Sequence, residues 1–129
     1  MTDADAADSE LEIRALLDRW AHAACAGDMD GVLANHASDI HMFDVPQPIQ
    51  SRGLSSYRRT WEVFFASNDP GPGRFRLRDV HVIAGQDVAV AHGLLDVADG
   101  AAHCRLTVAF RRESRGWIMV HEHHSMPID

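Results

Sequence analysis

Apolar positions recur at helical spacing early in the chain. Ile13, Leu16, Leu17, Trp20 and Ala24 fall on one face, the period of an amphipathic helix. Ser9 followed by Glu12 reads as a capping box at its start, and Gly27 as its stop. Residues 1–8 are expected to be a disordered acidic lead and residues 9–129 a single domain. Asp28 is placed to cap a short second helix running through Val32, Leu33 and His36. The run Ile40 to Asp44 alternates as a strand and ends at Pro46-Gln47-Pro48. Leu54, Tyr57, Trp61, Phe64 and Phe65 make the stripe of a third helix, which Asn68-Asp69-Pro70-Gly71-Pro72-Gly73 terminates.

Four strand-like segments follow, near Phe75–Ala84, Val88–Val97, Ala102–Arg112 and Trp117–Met126. Gly85, Asp99-Gly100 and Ser114-Arg115-Gly116 mark the turns between them. In the first of the four, Phe75 and Leu77 are out of phase with Val80 and Val82. A β-bulge there would account for this and would bend the sheet. The element order predicts an α+β fold: a cone-shaped domain, with a strongly curved, mostly antiparallel sheet and three N-terminal helices over its concave face.

Polar residues at the ends of two strands mark candidate chemistry. Strict alternation puts Trp117, Met119, His121, His123 and Ser125 on one face of the last strand. The same rule puts Ile40, Met42 and Asp44 together on the first, and turns Glu122 and His124 toward the surface or a subunit contact. An apolar wall that ends in a carboxylate and imidazoles suits a pocket orienting a small ligand. Asp44 facing His121 or His123 would be an acid/base couple, since imidazole exchanges protons near neutral pH. Tyr57 and Trp61 are expected to line the pocket from the third helix, and His92 from the strand it shares with Val88, Val90 and Leu94. His121-x-His123 with Asp44 is also a two-histidine, one-carboxylate set of the kind that holds a metal.

Composition narrows the partners. Of 129 residues, 46% are hydrophobic and 24% charged, with a net charge of −7, enough chain for one core. The acidic balance argues against nucleic acid and against anionic membrane as partners. No apolar run approaches the roughly 18 residues of a membrane span. The acidic start lacks the apolar core of a signal peptide, and Cys25 and Cys104 make no disulfide framework. A cytoplasmic location is expected.

Several segments together resemble the SnoaL-like branch of the nuclear-transport-factor-2-like superfamily, which includes the ketosteroid isomerases. They are Ala26-Gly27-Asp28-Met29-Asp30-Gly31, the strand ending at Asp44, the Arg52-Gly53 turn, and Trp117…His121-Glu122-His123…Ser125-Met126-Pro127. The resemblance implies the cone-shaped fold, a homodimer and a cofactor-free pocket without a metal. It places Asp44 where the isomerases carry their general base. Trp20 stands at the helix-one oxyanion position, and Val108 at the second oxyanion position. Trp20, Tyr57, Trp61, His92, Val108 and Ser125 are then the expected substrate-binding residues, and Asp44, His121 and His123 the catalytic ones. The implied function is cofactor-independent isomerase, cyclase or dehydratase chemistry on a small, apolar, carbonyl-bearing metabolite. A non-catalytic small-molecule binder and a dimeric interaction domain are the alternatives.

Overall fold

The computed structural model describes residues 1–128. Three helices, α1 (Asp3–Ala26), α2 (Met29–Leu33) and α3 (Leu54–Ser67), pack on a sheet of six strands. The strands are β1 (His36–Phe43), β2 (Ser51–Arg52), β3 (Phe75–Ala84), β4 (Val88–Val97), β5 (Ala102–Glu113) and β6 (Gly116–Ser125). Their order across the sheet is β2-β1-β6-β5-β4-β3. Every neighbouring pair is antiparallel except β1 with β6. This is the α+β architecture expected, with a curled, mostly antiparallel sheet.

The first helix starts earlier than its pattern suggests. Thr2 is the N-cap, and Thr2 and Asp5 form a reciprocal capping box, so the acidic lead supplies the opening turns of α1. Ser9 is buried inside the helix, where its hydroxyl accepts a bond from Arg112 at 2.6 Å. Gly27 ends the helix in the left-handed conformation, at φ 70°, which costs glycine little. Asp28 caps α2 as expected. That helix stops at Leu33, however, and His36 opens β1 instead of closing α2.

The core lies between the helices and the concave face. Ile13, Leu17 and Trp20 of α1 and Tyr57 and Trp61 of α3 meet Ile40, Met42, Leu95, Val108, Phe110, Trp117 and Met119 from the strands. The β3 bulge is present: the pairing of β3 with β4 shifts between Arg78 and His81. Asp79 there sits at φ 53°. Gly93 on β4 lets the bulge nest, because a Cβ at that position would lie 3.1 Å from the Arg78 and Asp79 carbonyl oxygens.

A second bulge matters more for function. Phe110 of β5 pairs with Met119, and the next β5 residue back, Ala109, pairs with His121. Val120 is the extra residue, so alternation on β6 changes phase there. Trp117 and Met119 point into the core before it. After it, Val108 pairs with Glu122 and Leu106 with His124, and cross-strand partners share a face. The inward residues at the end of β6 are therefore Glu122 and His124. His121, His123 and Ser125 face outward. Among the described residues, no helix is long and apolar enough to cross a membrane.

Candidate functional site

Helix α3, the end of β1, and strands β5 and β6 enclose a cavity of about 310 Å³. Its walls are largely apolar, from Met42, Trp61, Phe64, Phe75, Val97 and Met126. Asp44, Asn68, Glu122 and His124, with the hydroxyls of Thr60 and Ser67, supply the polar groups. A few converging polar groups in an apolar cleft of this size are the usual make-up of a small-molecule site. A larger groove of about 690 Å³ runs between α1 and the segment Pro70–Leu77, but it is more open to solvent and has no buried acid–base pair.

Three side chains form a ladder into the cavity. Glu122 is 1% exposed at its foot. Its Oε2 lies 2.5 Å from His124 Nε2. The His124 ring is 11% exposed, and its Nδ1 stands 3.4 Å from Asp44 Oδ1 at the rim. That separation suits an ion pair but is too long for a good hydrogen bond. Asp44 Oδ1 also accepts the Val45 N–H at 2.8 Å, which fixes the carboxylate. His124 is thus held at one nitrogen by a buried carboxylate, and its other nitrogen faces the second carboxylate. This is how an imidazole is oriented for proton transfer.

The ladder continues into the protein. Tyr57 Oη donates to Glu122 Oε1 at 2.7 Å and lies 3.0 Å from His36 Nε2. His36 Nδ1 donates to the Ala34 carbonyl at 2.7 Å. The Trp20 and Trp61 indole N–H groups lie near the Tyr57 hydroxyl and make no hydrogen bond of good geometry there or elsewhere.

Electrostatics follow from these contacts. Burial works against charge on His124, but the Glu122 carboxylate and then Asp44 outweigh it and raise the imidazole above its ordinary value. Burial alone would raise Glu122. The His124 charge and hydrogen bond, with the Tyr57 hydroxyl, outweigh that and hold the carboxyl below its usual range. Burial lowers His36. Tyr57 is pushed well up by burial and by the neighbouring Glu122. Burial, with Asp44 and Asp96 nearby, also raises the Cys104 thiol, which leaves little thiolate at neutral pH.

These directions give a pH prediction. His124 is raised above its ordinary 6.5, so its stabilising contribution is present below that value and is lost as pH rises through its folded value. Glu122 is depressed below 4.5, so its contribution is lost only as pH falls through its own lower folded value. The stability gap between the wild type and His124→Gln is therefore expected to be wide near about pH 6 and narrower near about pH 9. Urea unfolding at the two pH values checks this, and equal gaps would show that folding does not raise His124 above its ordinary value.

The structure brings some of the sequence-expected site residues together and separates others. Asp44 and Trp61 line the cavity. Tyr57 lies beneath it, bonded to Glu122. Trp20 and Val108 are core residues. Trp20 packs against Phe75 with centroids 5.0 Å apart, and neither residue lines the cavity. His121 and His123 need correction: the Val120 bulge turns both to the opposite face of the sheet, with Ser125. There the His121 Nδ1–H donates to the His41 carbonyl at 2.6 Å, and both rings stack edgewise on Phe43. His92 is on that outer face too, stacked on His81 at 5.2 Å. Neither His121 nor His123 can therefore join Asp44 in a two-histidine metal set, and no metal-binding cluster exists among the described residues.

Sequence reasoning missed Glu122, His124 and His36. For the first two, a signal was present. Trp117-Ile118-Met119-Val120 is a run of four apolar residues that fits either phase, and such a run can conceal a bulge.

The sequence and the fold match known proteins. The family model of the SnoaL-like domain matches residues 13–129, and the chain belongs to that family, within the NTF2-like superfamily. It is similar to an NTF2-like protein of unknown function from Pseudomonas putida KT2440. The two are 37% identical with a TM-score of 0.85, over 95% of this chain and 89% of the other. A Nostoc punctiforme protein of unknown function with a cystatin-like fold shares 18% identity at a TM-score of 0.79, over 98% and 94%. A Parabacteroides distasonis protein provisionally called a ketosteroid isomerase shares 22% at 0.69, over 89% and 85%. At those last two identities the likeness shows the fold alone. Among curated proteins, none matches the sequence.

Proposed function

We propose that the cavity is the active site of an acid/base enzyme of isomerase, cyclase or dehydratase type. One observation carries this reading: the Glu122–His124–Asp44 ladder ends at an otherwise apolar cavity. His124 exchanges the proton, Glu122 holds and charges the ring, and Asp44 is the second carboxylate at the reacting centre. The pair differs from the Asp44–His121 couple read from strand alternation, and the side chains themselves supply the proton transfer.

The lining also bears on the substrate. It holds two carboxylates and a single imidazole, with no arginine, and the chain contains no lysine. A carboxylate or phosphate ligand would find no cation other than His124, whose charge Glu122 already balances. An uncharged, largely apolar ligand bearing a carbonyl fits, and a cavity of about 310 Å³ holds a compact one. The outer sheet face carries Phe43, His121, His123, Ile83 and Val88, the last two well exposed, and we take it as the surface for a second copy of the chain. The two free cysteines suit a reducing, cytoplasmic setting.

Native mass spectrometry of the purified protein, before and after incubation, tests this reading. A dimer whose bound organic mass is converted by the wild type and is retained unchanged by His124→Gln and Asp44→Asn is the expected result. Retention without conversion by the wild type would favour a binding domain. Conversion undiminished in both variants would remove His124 and Asp44 from the chemistry.

A further inference from the structure

We propose that Tyr57 is a proton switch joining two histidines, through which buried His36 sets the charge of Glu122 and so the readiness of His124 to give up its proton. The argument is a proton count. A carbonyl brings no proton, so the contact from His36 Nδ1 to the Ala34 oxygen requires hydrogen on Nδ1. Two further contacts lie in series: His36 Nε2 to Tyr57 Oη at 3.0 Å, and Tyr57 Oη to Glu122 Oε1 at 2.7 Å. Each needs one proton. The tyrosine hydroxyl brings one, so the second must reside on His36 or on Glu122.

There are two placements. In the first, imidazolium His36 donates to Tyr57, which donates to the Glu122 carboxylate. In the second, Tyr57 donates to neutral His36, and Glu122, now a carboxylic acid, donates to Tyr57. To pass from the first to the second, the Nε2–H bond of His36 breaks as an O–H bond forms on Tyr57. The original O–H bond of Tyr57 breaks as one forms on Glu122. No atom enters or leaves, and an ion pair becomes two neutral groups. Two indole N–H groups without acceptors, on Trp20 and Trp61, stand near the oxygen through which both protons pass. They are suited to an oxygen that becomes briefly more negative.

Opposing pressures hold the balance. His36 is 3% exposed, and burial favours its neutral form. His124 favours the Glu122 carboxylate. The groups facing the relay are Glu122 and His124 from β6, Asp44 after β1, Cys104 from β5 and Tyr57 from α3. The Arg115 guanidinium also reaches the His36 carbonyl at 3.4 Å. The consequence for the cavity is direct. With Glu122 ionised, His124 keeps its proton. With Glu122 neutral, His124 loses its counter-charge and its Nδ1 proton is released toward the site.

The significance for catalysis rests on the reading of His124 as the working group, but the test needs no substrate. It is the nitrogen-15 titration of the nine histidines, with His36 and His124 identified by single glutamine substitutions. Coupled sites titrate in shared steps. The wild type is expected to show two inflections on each of His36 and His124, at common pH values separated by more than about one unit. Tyr57→Phe is expected to collapse each curve to one step. Independent single-step curves in the wild type, or two-step curves that survive in Tyr57→Phe, would overturn the proposal. If Tyr57→Phe does not fold, His36→Gln serves: His124 must then titrate in one step, and a two-step curve there would overturn it equally. An enzyme assay that fails leaves this outcome untouched, so the two readings fall separately.

Discussion

Glu122→Leu is expected to destabilise the protein by about 3–5 kcal/mol, the usual cost of removing one partner from a buried ion pair. Glu122 is buried, meets His124 on one oxygen and Tyr57 on the other, and no solvent can replace it. The variant strands a buried imidazole and a buried hydroxyl at once. Against a typical total stability of about 5–15 kcal/mol, that is a large fraction. The double variant Glu122→Leu/His124→Leu should recover most of the loss, because two apolar side chains leave no charge unpaired. Urea unfolding of the wild type, each single variant and the double, near about pH 6, closes the cycle. A single-variant loss under about 1 kcal/mol, or a double variant as unstable as the two losses summed, would mean the pair is not the buried unit described above.

The second large effect belongs to Trp61. This ring stands among Trp20, Tyr57, Phe64, Phe65 and Phe75, at centroid distances between 5.4 and 6.4 Å, and it forms part of the cavity wall. Trp61→Ala should cost about 3–5 kcal/mol, from lost transfer energy plus the void that remains. It should also join that void to the existing cavity. Guanidinium unfolding gives the first quantity. The second is read from the dye or ligand sizes the variant admits and the wild type excludes. A cost near that of a surface substitution, about 0.5 kcal/mol, would show that the five neighbouring rings close over the gap.

Much of the fold was legible in the sequence, because apolar spacing reports which face of an element is buried. The α1 stripe, the α3 stripe, the four later strands and the β3 bulge all follow from it. The bulge was readable because Phe75 and Leu77 versus Val80 and Val82 gave two definite phases with a break between them. Asp44 was readable for the same reason, since Ile40 and Met42 fix its direction. The end of β6 was not. In His121-Glu122-His123-His124 both phases are polar, and in Trp117–Val120 both are apolar. Neither stretch says which side is in, and the one unpaired residue between them decides it. His36 was hidden by a different cause: helical spacing ran on into a residue that the strand claims. Ser9 resembled a cap because a short hydroxyl suits a helix start, whereas here an arginine from β5 occupies it.

The unpaired Val120 gives this strand a property that a regular one lacks. Its last turn of sequence carries two complete polar sets, one presented to the cavity and one to the opposite side. If Val120 entered the ladder as a regular residue, the two sets would exchange, turning His121 and His123 inward and Glu122 and His124 outward without a substitution. A gap placed one column wrong beside such a bulge transfers a proposed role to residues on the wrong side of the sheet.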